Sequence, residues 1–278
     1  MRRYKQIRFR ILVAYDGSAY HGWQIQSNAR SVEGELTKAA MRVLNCGADE
    51  VKIQGASRTD AGVHALGQVA HIAYDLDKNL TAWDFVRGLN ALTEDDICVV
   101  FGDIAPPGFH ARHSARGKIY HYDIWNHRFE HPLLRQRIWQ ACGELDLDAM
   151  REAAQKLVGE HDFAAFRAGD CSAETTVRAL QRVEIFDDGP HLRVEVEGSA
   201  FLKYMVRILV GTLVHIGAGQ RPPEVIDEMF ASGDRTLGGQ TAPPQGLRLV
   251  EVFYPDFPWP GEQTPTLGGP WRAPELPR

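Results

Sequence analysis

Residues 179–197, Ala-Leu-Gln-Arg-Val-Glu-Ile-Phe-Asp-Asp-Gly-Pro-His-Leu-Arg-Val-Glu-Val-Glu, decide the fold class. Two runs, 179–186 and 191–197, flank Asp188-Gly189-Pro190. In the second run Val194 and Val196 alternate with Arg193 and Glu195. A period of two interrupted by turn residues predicts an antiparallel hairpin with one buried face. Working outward, the same alternation recurs at Ile7, Phe9, Ile11, Val13 and Tyr15, and again over 118–125. Shorter runs at 51–54, about 68–74, 97–101 and 247–253 read as further strands. Between them the spacing predicts a helix over about 32–45, with Ser31 as N-cap and Val32, Leu36, Ala39, Ala40 and Val43 in one stripe. Further helices are predicted over about 81–91, 147–158, 201–216 and from Pro222-Pro223 to Ala231. The helix at 201–216 is apolar on most sides and belongs in a core.

Strands and helices come mixed, with hairpins instead of regular strand–helix–strand alternation. The class is therefore α+β, a largely antiparallel mixed sheet with helices packed on it. Pro106-Pro107-Gly108 breaks the pattern and divides the chain into two similar-sized lobes, 1–107 and 108–257. Residues 258–278 hold six Pro and three Gly and are expected to form a flexible tail.

The chain has 278 residues, 44% hydrophobic and 24% charged, the composition of an ordinary globular protein. Disorder throughout, collagen and a disulfide miniprotein are excluded. The longest apolar stretch, Phe201 to Ile216, carries Lys203, Arg207 and His215 and is shorter than the ~20 residues of a membrane span. The basic N-terminus is followed by alternating charge and hydrophobe, with no signal-peptide core. Cys46, Cys98, Cys142 and Cys171 are far apart, which predicts reduced thiols and a cytoplasmic protein. The net charge of −5 conceals basic regions. Residues 1–10 hold five Arg or Lys and no acid, including Arg2, Arg3 and Lys5. Residues 108–137 hold six Arg or Lys and five His against Asp123 and Glu130. Such regions suit a phosphate backbone; ordinary solvated charge is the alternative.

Common sites are absent from the sequence. Gly217-Ala218-Gly219 is followed by Pro222 and preceded by no strand, so it is no dinucleotide fingerprint. His127 and His131 are four apart, but Pro132 follows and no third ligand completes a zinc set, so no metal is expected. The informative segment is Gly55-Ala56-Ser57-Arg58-Thr59-Asp60-Ala61-Gly62-Val63-His64-Ala65, a polar loop to Leu66 between two short strands. Its small residues let a backbone approach a ligand closely. Arg58 would hold Asp60 ionised, and a positioned carboxylate can act at a sugar C1′. On the residues alone a structural Arg–Asp pair closing the loop is the more ordinary reading, since lone Asp residues in loops are common. A second segment, Phe109-His110-Ala111-Arg112-His113 leading into Lys118-Ile119-Tyr120-His121-Tyr122, interleaves cations with aromatics. An RNA groove needs that mixture, although Tyr120 and Tyr122 on one strand face also suit a core. In a third, Lys203 and Arg207 lie four apart, which on a helix puts two cations on one face or lets them snorkel to the surface.

Taken in order along the chain, these marks resemble the TruA family of tRNA pseudouridine synthases. The resemblance covers about residues 7–255. It is carried by Tyr15-Asp16-Gly17, Gly22-Trp23-Gln24-Ile25-Gln26, Arg58 to Ala65, Phe109 to Arg112, Tyr120-His121-Tyr122, Phe201-Leu202 with Met205-Val206-Arg207, and Gly246-Leu247. Ser57 departs from the Gly usual in the family, and the tail beyond 257 has no counterpart in it. The resemblance implies the pseudouridine synthase fold and conversion of uridine to pseudouridine at positions 38 to 40 of the tRNA anticodon stem-loop. It implies no metal or organic cofactor, and a homodimer with tRNA reaching across both subunits. By the same resemblance Asp60 is the nucleophile, Tyr120 contacts the flipped uracil, and Arg58 and Arg207 flank the aspartate, Arg207 pairing with it. Leu247 and Val63 are the expected apolar walls of a dry pocket. RNA contacts are expected from Phe109, His110, Ala111, Arg112 and His113, and from Ala168, Gly169, Asp170, Cys171 and Ser172. Two other classes remain for comparison. A silent RNA-binding protein of the same fold would leave uridine unchanged, and a nucleoside or glycoside hydrolase would release free base and normally use two carboxylates.

Overall fold

The computed structural model describes residues 6–74 and 80–255. Arg2, Arg3, Lys5 and the tail 258–278 lie outside them. One ten-stranded, mostly antiparallel sheet organises the chain. Its strands are β1 (Gln6–Tyr15), β2 (Val51–Gly55), β3 (His64–Tyr74), β4 (Ile97–Ile104), β5 (Gly117–Asn126), β6 (Trp139–Ala141), β7 (Gly159–Asp162), β8 (Val177–Asp188), β9 (His191–Gly198) and β10 (Leu247–Phe253). The order is β4-β1-β3-β10-β5-β9-β8-β7, with β2 beside β3 and β6 beside β5. Strands from the first 104 residues thus lie on one side of β10, and those from 117–198 on the other. β10 runs parallel to β3, with Arg248 opposite His64 and Leu249 opposite Ala65, and antiparallel to β5, with Leu247 opposite Tyr122 and Leu249 opposite Tyr120. The hairpin β8–β9 forms as its alternation predicts, with Val194 and Val196 buried and Arg193 and Glu195 half-exposed.

Five helices pack on the sheet and one another: α1 (Val32–Leu44), α2 (Ala82–Asn90), α3 (Leu147–Lys156), α4 (Met205–Gly217) and α5 (Val225–Ser232). Side chains set their starts. Ser31 accepts the Gly34 N–H at 3.3 Å, Thr81 accepts that of Asp84 at 3.1 Å, and Asp146 accepts those of Asp148 and Ala149 at 3.0 Å. α4 is a core helix with ten buried residues. No helix among the described residues is long and apolar enough to cross a membrane.

Three local expectations are corrected. The loop after β2 ends at Val63, because pairing with β10 extends β3 back to His64. The helix expected from 201 begins at Met205, because Tyr204 takes a left-handed φ of 62° that a right-handed helix cannot include. Lys203 therefore precedes the helix, and it does not share a helical face with Arg207. β6 and β7, absent from the sequence reading, are three and four residues long, too short for a period of two to show.

Candidate active site

The loop 56–63 alternates its side chains between two environments. Ser57 and Thr59 turn inward, where Ser57 Oγ lies 2.7 Å from the Tyr120 hydroxyl and Thr59 Oγ1 lies 2.7 Å from that of Tyr15. Both tyrosines are buried. Arg58 is exposed and Asp60 is half-buried. The loop's backbone is tied to the segment after β1. The Trp23 N–H donates to the Thr59 carbonyl at 3.1 Å, and the Gly62 N–H to that of Tyr20 at 3.2 Å. The Gly17 N–H donates to His64 Nδ1 at 3.0 Å. A Cβ on Gly17 would lie 2.0 Å from the Val63 carbonyl oxygen, so only glycine allows this approach. Tyr15-Asp16-Gly17 and Gly22-Trp23-Gln24 are therefore the cradle of the loop.

Burial pushes the Asp60 carboxyl up to about 6, opposed by the charges of Arg207, then Lys203, then Arg58; the charge of Asp170 adds to the rise. Asp60 is accordingly a carboxylate at neutral pH with weak hydration, the state a nucleophile needs. Arg58, expected to hold Asp60 ionised, contributes the smallest of the three cationic effects on it. Its Nη1 leans toward Gln24 Oε1 at 3.4 Å. The expected Arg207–Asp60 pair is also absent. Arg207 Nε donates to the Ala242 carbonyl at 2.7 Å, and among the described residues no cation reaches the Asp60 carboxylate within ion-pair distance. Arg207 acts on it through its field.

Arg207 is held from both sides. Its guanidinium sits 4.7 Å from the centre of the Tyr204 ring, and the Ala242 N–H returns a hydrogen bond to the Arg207 carbonyl at 3.0 Å. The strap carrying Ala242 runs so close to α4 that a Cβ on Gly211 would lie 1.7 Å from the Gln240 carbonyl oxygen. Beside the site, Lys203 Nζ bonds Asp170 at 2.6 Å, and the Ala168 N–H donates to the Lys203 carbonyl at 3.0 Å. These contacts bring the 168–172 loop next to Asp60. Within it Gly169, Asp170 and Ser172 are exposed, Cys171 is half-buried and Ala168 is buried.

The other sequence candidates divide by exposure. Val63 and Leu247 are buried in the core, Leu247 opposite Tyr122. Phe109 and Ala111 also face inward. Phe109 packs on Tyr254 and under Arg10, while Ala111 donates its N–H to His71 Nδ1 and accepts from the Tyr254 hydroxyl. Arg112 and His113 remain exposed and His110 half-buried. Sequence reasoning did not find the inward contacts of Ser57 and Thr59, because nothing in a string of small polar residues says which way each points. It also missed Gln68, which is fully buried and grips Ser57. The signal available was a Gln among Val, Ala and Ile in a buried strand.

The chain matches the sequence model of the family described as tRNA pseudouridine synthase over residues 11–107 and 153–255. Similar proteins named tRNA pseudouridine synthase A occur in several bacteria. The one from Geotalea uraniireducens is 45% identical over 247 residues, covering 89% of this chain and 99% of the relative. That from Geobacter sulfurreducens is 46% identical, covering 88% and 98%. That from Myxococcus xanthus is 44% identical, covering 90% and 93%.

Proposed function

The chain belongs to the TruA family of tRNA pseudouridine synthases, which are isomerases, and on that premise we propose that it converts uridine to pseudouridine at positions 38 to 40 of the tRNA anticodon stem-loop with Asp60 as nucleophile. The observation that carries this reading is the Asp60 carboxylate, half-buried on a braced loop and surrounded by the fields of Arg207, Lys203 and Arg58.

A uridine in a stem is stacked and paired, so it must be extruded at a cost of about a few kcal/mol. Arg58, exposed at the loop tip, enters the vacated space and meets phosphate. The flipped base rests against Tyr120, with Leu247 and Val63 forming the dry wall beneath. Asp60 attacks while the N1–C1′ bond breaks. The base turns, C5 bonds to C1′ as the bond made by Asp60 breaks and its carboxylate is released, the proton leaves C5 and one is gained at N1, so the composition is unchanged. Water must stay out, since hydrolysis would leave an abasic site. Arg207 keeps Asp60 anionic through its field. No metal or cofactor enters this scheme.

In this scheme Arg112, His113 and His110, with Gly169, Asp170 and Ser172, contact the RNA. Phe109, Ala111, Ala168 and Cys171 shape those segments from beneath. The enzyme works as a cytoplasmic homodimer with tRNA spanning both subunits, each chain made of two lobes, 1–107 and 108–257. Unmodified tRNA with uridine at 38, 39 or 40 tests the reading. The wild-type chain forms pseudouridine, and Asp60→Ala forms none while still binding tRNA. Pseudouridine made by the Asp60→Ala protein would remove Asp60 from this role, and release of free uracil by the wild type would point to a hydrolase.

A further inference from the structure

The inward side of the loop holds polar contacts that the scheme above does not use. Gln68 is fully buried on β3, and its side-chain amide clamps the Ser57 backbone twice. Nε2 donates to the Ser57 carbonyl at 2.7 Å, and Oε1 accepts the Ser57 N–H at 3.2 Å. The neighbouring Ala56 N–H donates to the Val69 carbonyl at 2.8 Å. With its backbone fixed in this way, Ser57 presents Oγ to the Tyr120 hydroxyl at 2.7 Å. The Tyr120 ring is itself wedged edge-on against Phe201, centroids 5.0 Å apart at 79°. A chain of fixed contacts thus runs from a core strand to the phenolic oxygen.

Each hydroxyl has a single hydrogen, and the bond between them uses one. If Tyr120 donates, its hydrogen is spent inside the protein. If Ser57 donates, the phenolic hydrogen is free to turn toward Asp60. The charge of Asp60, which acts on Tyr120, favours the second arrangement. A carboxylate's field draws the positive end of an O–H dipole toward it.

We propose that Ser57 is a positioning residue for the isomerisation: held by Gln68, its hydroxyl donates to the Tyr120 oxygen and turns the Tyr120 O–H to the Asp60 side, where the flipped base would lie. The inference rests on the placement of Tyr120 in the isomerisation site. In this arrangement Tyr120 offers the uracil both a ring face and a directed donor, and the donor stays aimed while the base turns. Ser57 itself touches no substrate.

The test is a double-mutant cycle on the full-length enzyme, measuring single-turnover pseudouridine formation and tRNA affinity for Ser57→Ala, Tyr120→Phe and the pair. Loss of one aimed hydrogen bond predicts a rate about tenfold lower for Ser57→Ala with tRNA affinity unchanged. In the Tyr120→Phe background, Ser57→Ala should have no further effect. Ser57→Thr, which keeps the hydroxyl, should restore most of the rate and so separates this role from a general loosening of the loop. Additive losses in the double variant, or Ser57→Thr no better than Ser57→Ala, would overturn the inference while leaving Asp60 and Tyr120 in place. Full activity in Tyr120→Phe would overturn the inference, since the hydroxyl would then be idle, while leaving the ring's contact with the base in place.

Discussion

Asp60 illustrates a conflict that a single side chain can hold. Moving its carboxyl from the solvated value near 4 to about 6 makes the ionised form costly in the folded protein. Below pH about 4 the group is neutral in both folded and unfolded chains and costs nothing. As pH rises through 6 the penalty develops fully, so here stability falls with rising pH. Asp60→Asn should therefore abolish activity yet stabilise the chain by about 1–3 kcal/mol at pH 8. The gain should shrink as pH falls through 6 and vanish near 4. Urea unfolding of both proteins across that range checks the sign; a destabilised variant at pH 8 would show that burial does not dominate at this carboxyl. The same titration predicts an acid limb in kcat/KM with a midpoint near 6, absent where chemistry is not limiting. Asp60 and Arg58 were legible as a loop carboxylate beside a cation. Their surroundings were not, since the stronger fields come from Arg207 and Lys203, roughly 140 residues further along the chain.

Helix α4 and the strap over it show why elements were easier to read than their junctions. The apolar run from Met205 announces a core helix, and alternation announces the long strands. Nothing in Phe201-Leu202-Lys203-Tyr204 announces that Tyr204 adopts a left-handed conformation, which takes Lys203 off the helix and delivers it to Asp170. Likewise nothing in β10 or β5 sets Arg248, His121 and Asp123 apart from the charged residues of a solvated face. They are buried instead, with Arg248 and His191 against Asp123 and His121 2.6 Å from Glu195. Tertiary cover decides burial, and periodicity within one strand carries no record of it. The strap makes a sharp prediction. Gly211→Ala sets a methyl against the Gln240 carbonyl, so the strap must lift and the Ala242 carbonyl that holds Arg207 moves with it. Stability should drop by about 2 kcal/mol or more, and the pseudouridine rate should fall further than the residual folded fraction explains. Circular dichroism melts beside the rate assay measure the two effects separately.

Across the whole molecule, charge is arranged locally and the net value of −5 says little about the partner. If Arg58, Arg112 and other exposed cations meet phosphates, tRNA affinity should fall steeply with salt. Arg112→Ala should weaken binding and reduce the slope of log affinity against log salt by about one. Fluorescence titrations from low to moderate salt measure it, and an unchanged slope would remove Arg112 from the RNA path. The α+β class and the Asp60 loop were visible in the sequence because each is local. The sheet's closure was not, because it depends on a strand 180 residues from its neighbour. β10, the last strand among the described residues, is wedged between β3 and β5 and hydrogen-bonded to both. Translation delivers the chain N-terminal end first. A nascent polypeptide whose final strand is still inside the ribosome has two half-sheets with nothing to join them. The strand carrying Tyr120 is then unfastened from the one that follows the Asp60 loop. The seam between the two half-sheets forms only once residues 247–253 have emerged, so a product terminated before β10 cannot hold Tyr120 against the Asp60 loop.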